Sequence, residues 1–146
     1  MKLINGKITM MNKEEITFEL YPEETPITVE NFVKLIKEGY YNGKTFHRVI
    51  PGFVSQGGCP YGTGAGGLGY TIPCETEKNV HKHVRGTFSM AHAGKNTGCC
   101  QFFICHESQP HLDGVHTVFG QVTNNIEAVL KMKNGDKIEK IEITEE

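Results

Sequence analysis

Apolar and polar residues alternate with a period of two in short stretches, most cleanly in "ITFEL", and the period lengthens to that of a helix in two places. Residues 2–9 and 15–20 read as two strands joined by a polar turn at 11–14, with Ile16, Phe18 and Leu20 on one face of the second. The segment "TPITVENFVKLIKEGYY" predicts a helix. Thr25 suits its N-cap, Pro26 its first position, and Glu30 puts negative charge in the first turn. Val29, Phe32, Val33 and Ile36 follow at i, i+3, i+4 and i+7, one apolar stripe that serves as core. Lys37 and Gly39 are stop signals.

"FHRVIPGFVSQGG", residues 46–58, predicts two strands around a Pro51-Gly52 turn. If 46–50 is extended, Phe46, Arg48 and Ile50 share a face, which leaves a guanidinium with five donors among apolar groups. A glycine-rich loop (57–69) comes next. "GTFSMAHAG", "QFFICH" and "VHTVFGQV" are three more strand-like segments, "NIEAVLKMKNG" is a short second helix, and "DKIEKIEITEE" is an imperfectly alternating closing strand. Many strands, frequent turns and two helices imply a mainly β chain, a closed antiparallel sheet with helices over its open ends. Residues 1–146 show no repeat or linker and are expected to form one domain, large enough to bury roughly 68–70% of its unfolded surface.

Composition narrows the function. The net charge of −2, with Lys and Glu interspersed, argues against nucleic acid as a partner. No run approaches the roughly 18 apolar residues of a membrane span. The opening "MKLINGKITMM" lacks a secretory h-region, so a cytoplasmic location is expected. Five cysteines, odd in number and without a C-x-x-C pair, suit reduced thiols better than a disulfide framework. Cys74, His81 and His83 match no zinc spacing, and neither a metal nor a cofactor is expected. The G-x-G-x-x-G at 64–69 is followed by "YTIP" rather than a helix, so it reads as a surface loop and not as a nucleotide site. Four polar residues, Gln56, Gln101, His92 and His116, keep apolar company. Each one alone could satisfy backbone at a strand end. Together with Arg48 and nearby aromatics they describe a groove suited to an extended peptide.

"FHRVIPGFVSQGG", "GTGAGG", "SMAHAGKNTGCCQFFI" and "HLDGVHTVFGQV", in this order and spacing, resemble a cyclophilin across nearly the whole chain, most like the compact bacterial ones. The resemblance implies an eight-stranded antiparallel β-barrel capped by two α-helices. It also implies peptidyl-prolyl cis–trans isomerase activity on proline-containing peptides and folding proteins; a monomer is expected because the sequence shows no coherent association stripe. Residue by residue, it puts the catalytic arginine at Arg48, with Gln56 and Phe53 beside it. The proline pocket falls on Phe53, Phe103 and Leu112, with Gln101 and His116 as further binding groups, and "MAHAG" supplies Ala91, His92 and Ala93. Departures fall at Val54, where a Met is common, at His92, where the family's "MANAG" has Asn, and at His111, where Trp is usual. That change implies weak cyclosporin binding.

The chemistry suits these residue types. An X-Pro bond rotates over a barrier of roughly 18–20 kcal/mol set by amide resonance, and nothing covalent need change. At the twisted transition state the proline nitrogen regains its lone pair, so a guanidinium aimed at it binds that state and hardly the planar one. Two other readings remain at this stage. One is a proline-directed binding module or chaperone without useful turnover, suggested by the changes at Val54, His92 and His111. The other is redox or metal sensing through the adjacent Cys99 and Cys100.

Overall fold

The computed structural model describes residues 3–63 and 67–145, so the Gly64-to-Gly66 part of the G-x-G-x-x-G match lies outside the described residues. In chain order the elements are β1 (Ile4–Met10), β2 (Glu15–Leu20), α1 (Pro26–Lys37), β3 (Thr45–Phe46), β4 (Arg48–Ile50), β5 (Val54–Gly57), β6 (Thr87–Met90) and β7 (Phe102–Cys105). A 3-10 turn (Pro110–Leu112), β8 (Val118–Asn124), α2 (Ile126–Leu130) and β9 (Asp136–Glu145) complete them. All pairings are antiparallel, in the order β3-β9-β1-β2-β8-β6-β7-β5-β4.

The two outermost strands of that order, β3 and β4, are one stretch of chain interrupted only at His47. Thr45 and Phe46 ladder with Lys137 and Asp136 of β9, while Arg48 to Ile50 ladder with Gln56 to Val54 of β5. The sheet therefore comes round on itself as a nearly closed barrel. Counting the interrupted stretch once turns nine strands into the expected eight.

The interruption overturns the shared face expected for Phe46, Arg48 and Ile50. Phe46 is fully buried and Val49 is 8% exposed, whereas Arg48 and Ile50 are exposed. An extra residue at His47 shifts the alternation by one, so the inward series runs from 46 to 49. Arg48 faces outward for that reason.

The turn between β4 and β5 follows its composition. Gly52, at φ +77°, holds the left-handed position that a type II Pro-Gly turn requires, and the Phe53 N–H donates to the Ile50 carbonyl at 2.9 Å.

Helix α1 lies where its stripe predicts, with Val29, Phe32, Val33 and Ile36 buried. Phe32 plugs the barrel, its ring 5.0 to 6.3 Å from those of Phe18, Phe88, Phe102 and Phe119. The capping differs from expectation. Thr25 is at the N-cap, but its hydroxyl donates to the Tyr21 carbonyl, and Glu30 lies beyond the first turn. Glu75, from the long loop before β6, caps the helix instead. Its carboxylate accepts the N–H groups of Ile27 (3.2 Å) and Thr28 (2.6 Å) and the Thr28 hydroxyl (2.8 Å). A carboxylate there meets unpaired backbone donors and the positive end of the helix dipole. The second helix is five residues long. No helix among the described residues is long and apolar enough to cross a membrane.

Candidate active site

Strand β7 has two apolar faces. Phe102 and Ile104 point into the main core, while Phe103 and Cys105 form a small outer cluster with Val54, against which Phe53, Ala91 and Leu112 pack. Register places the polar groups beside it. Arg48 pairs with Gln56, Gln56 with Phe103, and Phe103 with Ser89, so these four lie in a row across β4, β5, β7 and β6. Directly opposed residues share a face, which brings guanidinium, amide and phenyl side by side.

The row opens into a cleft of about 140 Å³ lined by Arg48, Phe53, Val54, Gln56, Ala91, His92, Phe103, Leu112 and His116. Nine of the twelve residues expected at the site thus surround one cavity, and the other three adjoin it. Gln101 stands one hydrogen bond back, its Oε1 accepting from Gln56 Nε2 at 3.0 Å. His111 is outside the lining and stacks on Phe53, with ring centroids 6.1 Å apart and 22° between planes. Ala93 is exposed on the neighbouring turn, where its N–H donates to Thr97 Oγ1.

Arg48 Nη1 donates to Gln56 Oε1 at 3.2 Å, and the guanidinium carbon lies 6.0 Å from the centre of the Phe53 ring. Arginine has only donors, so the Gln56 oxygen must face it and the amide nitrogen must turn to Gln101. Two amides in series therefore hold the guanidinium at the edge of the cleft.

His116 Nδ1 donates to the Met90 carbonyl at 2.9 Å. Burial pushes its pKa below the ordinary value, partly offset by that carbonyl, so a neutral ring presents Nε2. His92 stacks on it at 4.0 Å, accepting the Gly94 N–H at Nδ1 and donating from Nε2 to the Val115 carbonyl. The His92 side chain is thus committed to bracing the 92–97 turn.

Sequence reasoning missed a layer behind the cleft. His83, weighed only as a metal ligand, is buried between Asp113 and Ser89, whereas His81 bonds Glu24 and stacks on Tyr21. The "HLDG" motif carried Asp113 beside Leu112, but nothing in its spacing points to residue 83. Cys99 and Cys100 are both buried and precede β7.

The family model described as cyclophilin-type peptidyl-prolyl cis-trans isomerase/CLD matches residues 6–146. Peptidyl-prolyl cis-trans isomerase B of Bacillus subtilis is 62% identical over 138 residues, covering 94% of this chain and 96% of that one. A Synechococcus elongatus peptidyl-prolyl cis-trans isomerase is 58% identical over 133 residues, 90% of each chain. Among solved structures, a Cryptosporidium parvum cyclophilin-type isomerase superposes with a TM-score of 0.89 at 31% identity, covering 99% of both chains. The barrel, the outward arginine row and these relatives lead to one conclusion: this chain is a member of the cyclophilin-type peptidyl-prolyl cis–trans isomerases.

Proposed function

We propose that the chain catalyses rotation about X-Pro bonds in peptides and folding proteins by seating the proline ring on Phe103, Phe53 and Leu112 under the Arg48 guanidinium. The observation that carries this reading is the Arg48–Gln56–Gln101 chain beside an apolar cleft. A related Cryptosporidium parvum isomerase, 33% identical with a TM-score of 0.81, was solved in the presence of the dipeptide Ala-Pro, which supports a proline-containing substrate.

With the ring held, the acyl side of the bond turns. As the amide twists, the proline nitrogen becomes an acceptor and a guanidinium N–H donates to it. This bond is made in the transition state and barely in the ground state, so it raises turnover rather than merely affinity. Gln56 holds Arg48 in place beforehand, so the guanidinium need not reorient as the barrier is crossed. Val54 leaves the pocket slightly wider than a methionine would. Weak cyclosporin binding belongs to the same reading, because His111 is smaller than the usual Trp. The reading also covers a single catalytic domain acting as a cytoplasmic monomer, which sedimentation and cell fractionation check.

The deciding measurement is exchange or protease-coupled isomerisation of an X-Pro tetrapeptide by wild type and Arg48→Ala. A lost charge-assisted bond of about 1.5–3 kcal/mol lowers kcat/KM by about ten- to a hundredfold. Equal rates for the two proteins overturn the role of Arg48. Peptide binding without any rate enhancement in the wild type favours a binding module instead.

A further inference from the structure

Behind the cleft runs a buried chain, Asp113–His83–Ser89, in the order of a hydrolase triad. The His83 ring joins Asp113 Oδ1 through Nδ1 and Ser89 Oγ through Nε2, each at 2.8 Å. Nucleophilic duty is ruled out by burial, since His83 is 1% and Ser89 0% exposed and no substrate carbonyl reaches the hydroxyl. What the chain holds is the wall of the cleft. The His83 backbone grips both ends of the 3-10 turn that carries His111 and Leu112. Its carbonyl accepts the Gln109 N–H at 2.9 Å, and its N–H donates to Asp113 Oδ1 at 2.8 Å. The ring also lies against Phe103, with centroids 6.1 Å apart and 17° between planes, while His116 meets Phe103 edge-on. Ser89 is the residue opposite Phe103 on β6.

We propose that His83 is a positioning residue of the isomerase, a single neutral imidazole that sets the distance between the Leu112 wall and the Phe103 floor and so shapes the proline pocket. The proposal rests on the reading that this cleft seats proline. The Asp113 carboxylate can only accept, so Nδ1 carries a proton; in a neutral ring Nε2 then accepts the Ser89 hydroxyl at 2.8 Å, in preference to the Thr117 carbonyl that the same hydroxyl reaches at 3.2 Å. Burial pushes the imidazole pKa down more strongly than Asp113 raises it, in keeping with a neutral ring. Burial would raise the Asp113 pKa, but the backbone and ring N–H groups of His83 outweigh it and hold the carboxyl below its ordinary value.

The test compares wild type, His83→Phe, Asp113→Ala and Asp113→Asn, using an X-Pro tetrapeptide for kinetics and amide hydrogen exchange for structure. His83→Phe keeps a ring against Phe103 and loses its hydrogen bonds. It is expected to raise KM about five- to twentyfold while kcat changes less than about threefold, the signature of lost ground-state binding. Exchange at Leu112, Val115 and His116 should quicken more than about tenfold, with Ile104 and Phe119 in the barrel unchanged. Asp113→Ala is expected to behave alike and carries both readouts if His83→Phe does not fold. Asp113→Asn keeps an Oδ1 acceptor and should return KM and exchange to within about twofold of wild type. Wild-type KM with unchanged exchange at 112–116, or faster exchange throughout the barrel with no rescue by asparagine, overturns the proposal. Arg48→Ala run alongside reports separately on the reading of the cleft, because it leaves the exchange at 112–116 to decide the role of His83.

Discussion

Arg48 depends on Gln56 for its aim, and the dependence is directional. Leucine at position 56 would keep the volume and remove the only side-chain acceptor shown for the guanidinium. Gln56→Leu should therefore lower kcat more than it raises KM, by about tenfold, because a mobile guanidinium must be ordered at the transition state. Steady-state kinetics on one X-Pro peptide check this, and a change confined to KM would mean that Gln56 only binds substrate. At this scale the sequence was legible where a residue clashed with its surroundings. An arginine among apolar neighbours was conspicuous, and a glutamine beside two phenylalanines nearly so. His83 was not, because its meaning lies in an aspartate thirty positions away and in a loop whose path has no periodicity. The shared face expected for Phe46, Arg48 and Ile50 does not form. The strand breaks at His47, and the arginine faces solvent rather than sharing a face with Phe46.

Among the elements, strands and helix stripes could be read because burial imposes a period, and β2 and α1 follow it, whereas β7 is buried on both faces and reads only as a short apolar run. What could not be read was how elements are tied together. The cap of α1 comes from Glu75, nearly fifty residues downstream, and the same residue donates its N–H to Thr117 Oγ1 at the entry to β8. Local capping rules select Thr25 and have no access to a partner that distant. Glu75→Ala should lower unfolding free energy by about 1–2 kcal/mol, the usual size of a lost cap, while Thr25→Ala removes no cap. Urea unfolding measures the loss, and amide exchange at Ile27 and Thr28 assigns the cap: it should quicken in Glu75→Ala and not in Thr25→Ala, which loses only its hydroxyl's bond to the Tyr21 carbonyl, and the reverse would return the cap to Thr25. The break at His47 was invisible for a related reason. "FHRVI" fits an unbroken strand as well as an interrupted one, and only pairing with two different neighbours separates them.

The whole molecule carries a pH dependence spread over its interior. Burial lowers the pKa of His83, His106 and His116 below the ordinary 6.5, and burial together with Arg48 does the same for His47. The unfolded chain therefore takes up protons on these rings as pH falls through about 6.5, while the folded chain resists them. Their contribution to stability is complete above that pH and is lost progressively below it. Thermal melts should give a flat Tm from about pH 7 to 8 and a falling one from about 6.5 downward. A Tm that holds or rises at about pH 5.5 would contradict this. His47 is the clearest case, since both ring nitrogens are buried without a hydrogen-bond partner among the described residues.

That same seam has a consequence for how the enzyme meets its clients. Unfolded polypeptides carry unpaired strand segments that zip onto any open sheet margin. Here the two margins are consecutive pieces of one stretch, and the Val49 N–H is already taken by the Asn134 side chain at 2.6 Å. At this seam Val49 therefore offers an incoming strand no free N–H. On the proposed function, contact falls to the cleft on the outer face, where a passing proline would be held by one ring pocket and a few donors and as readily let go.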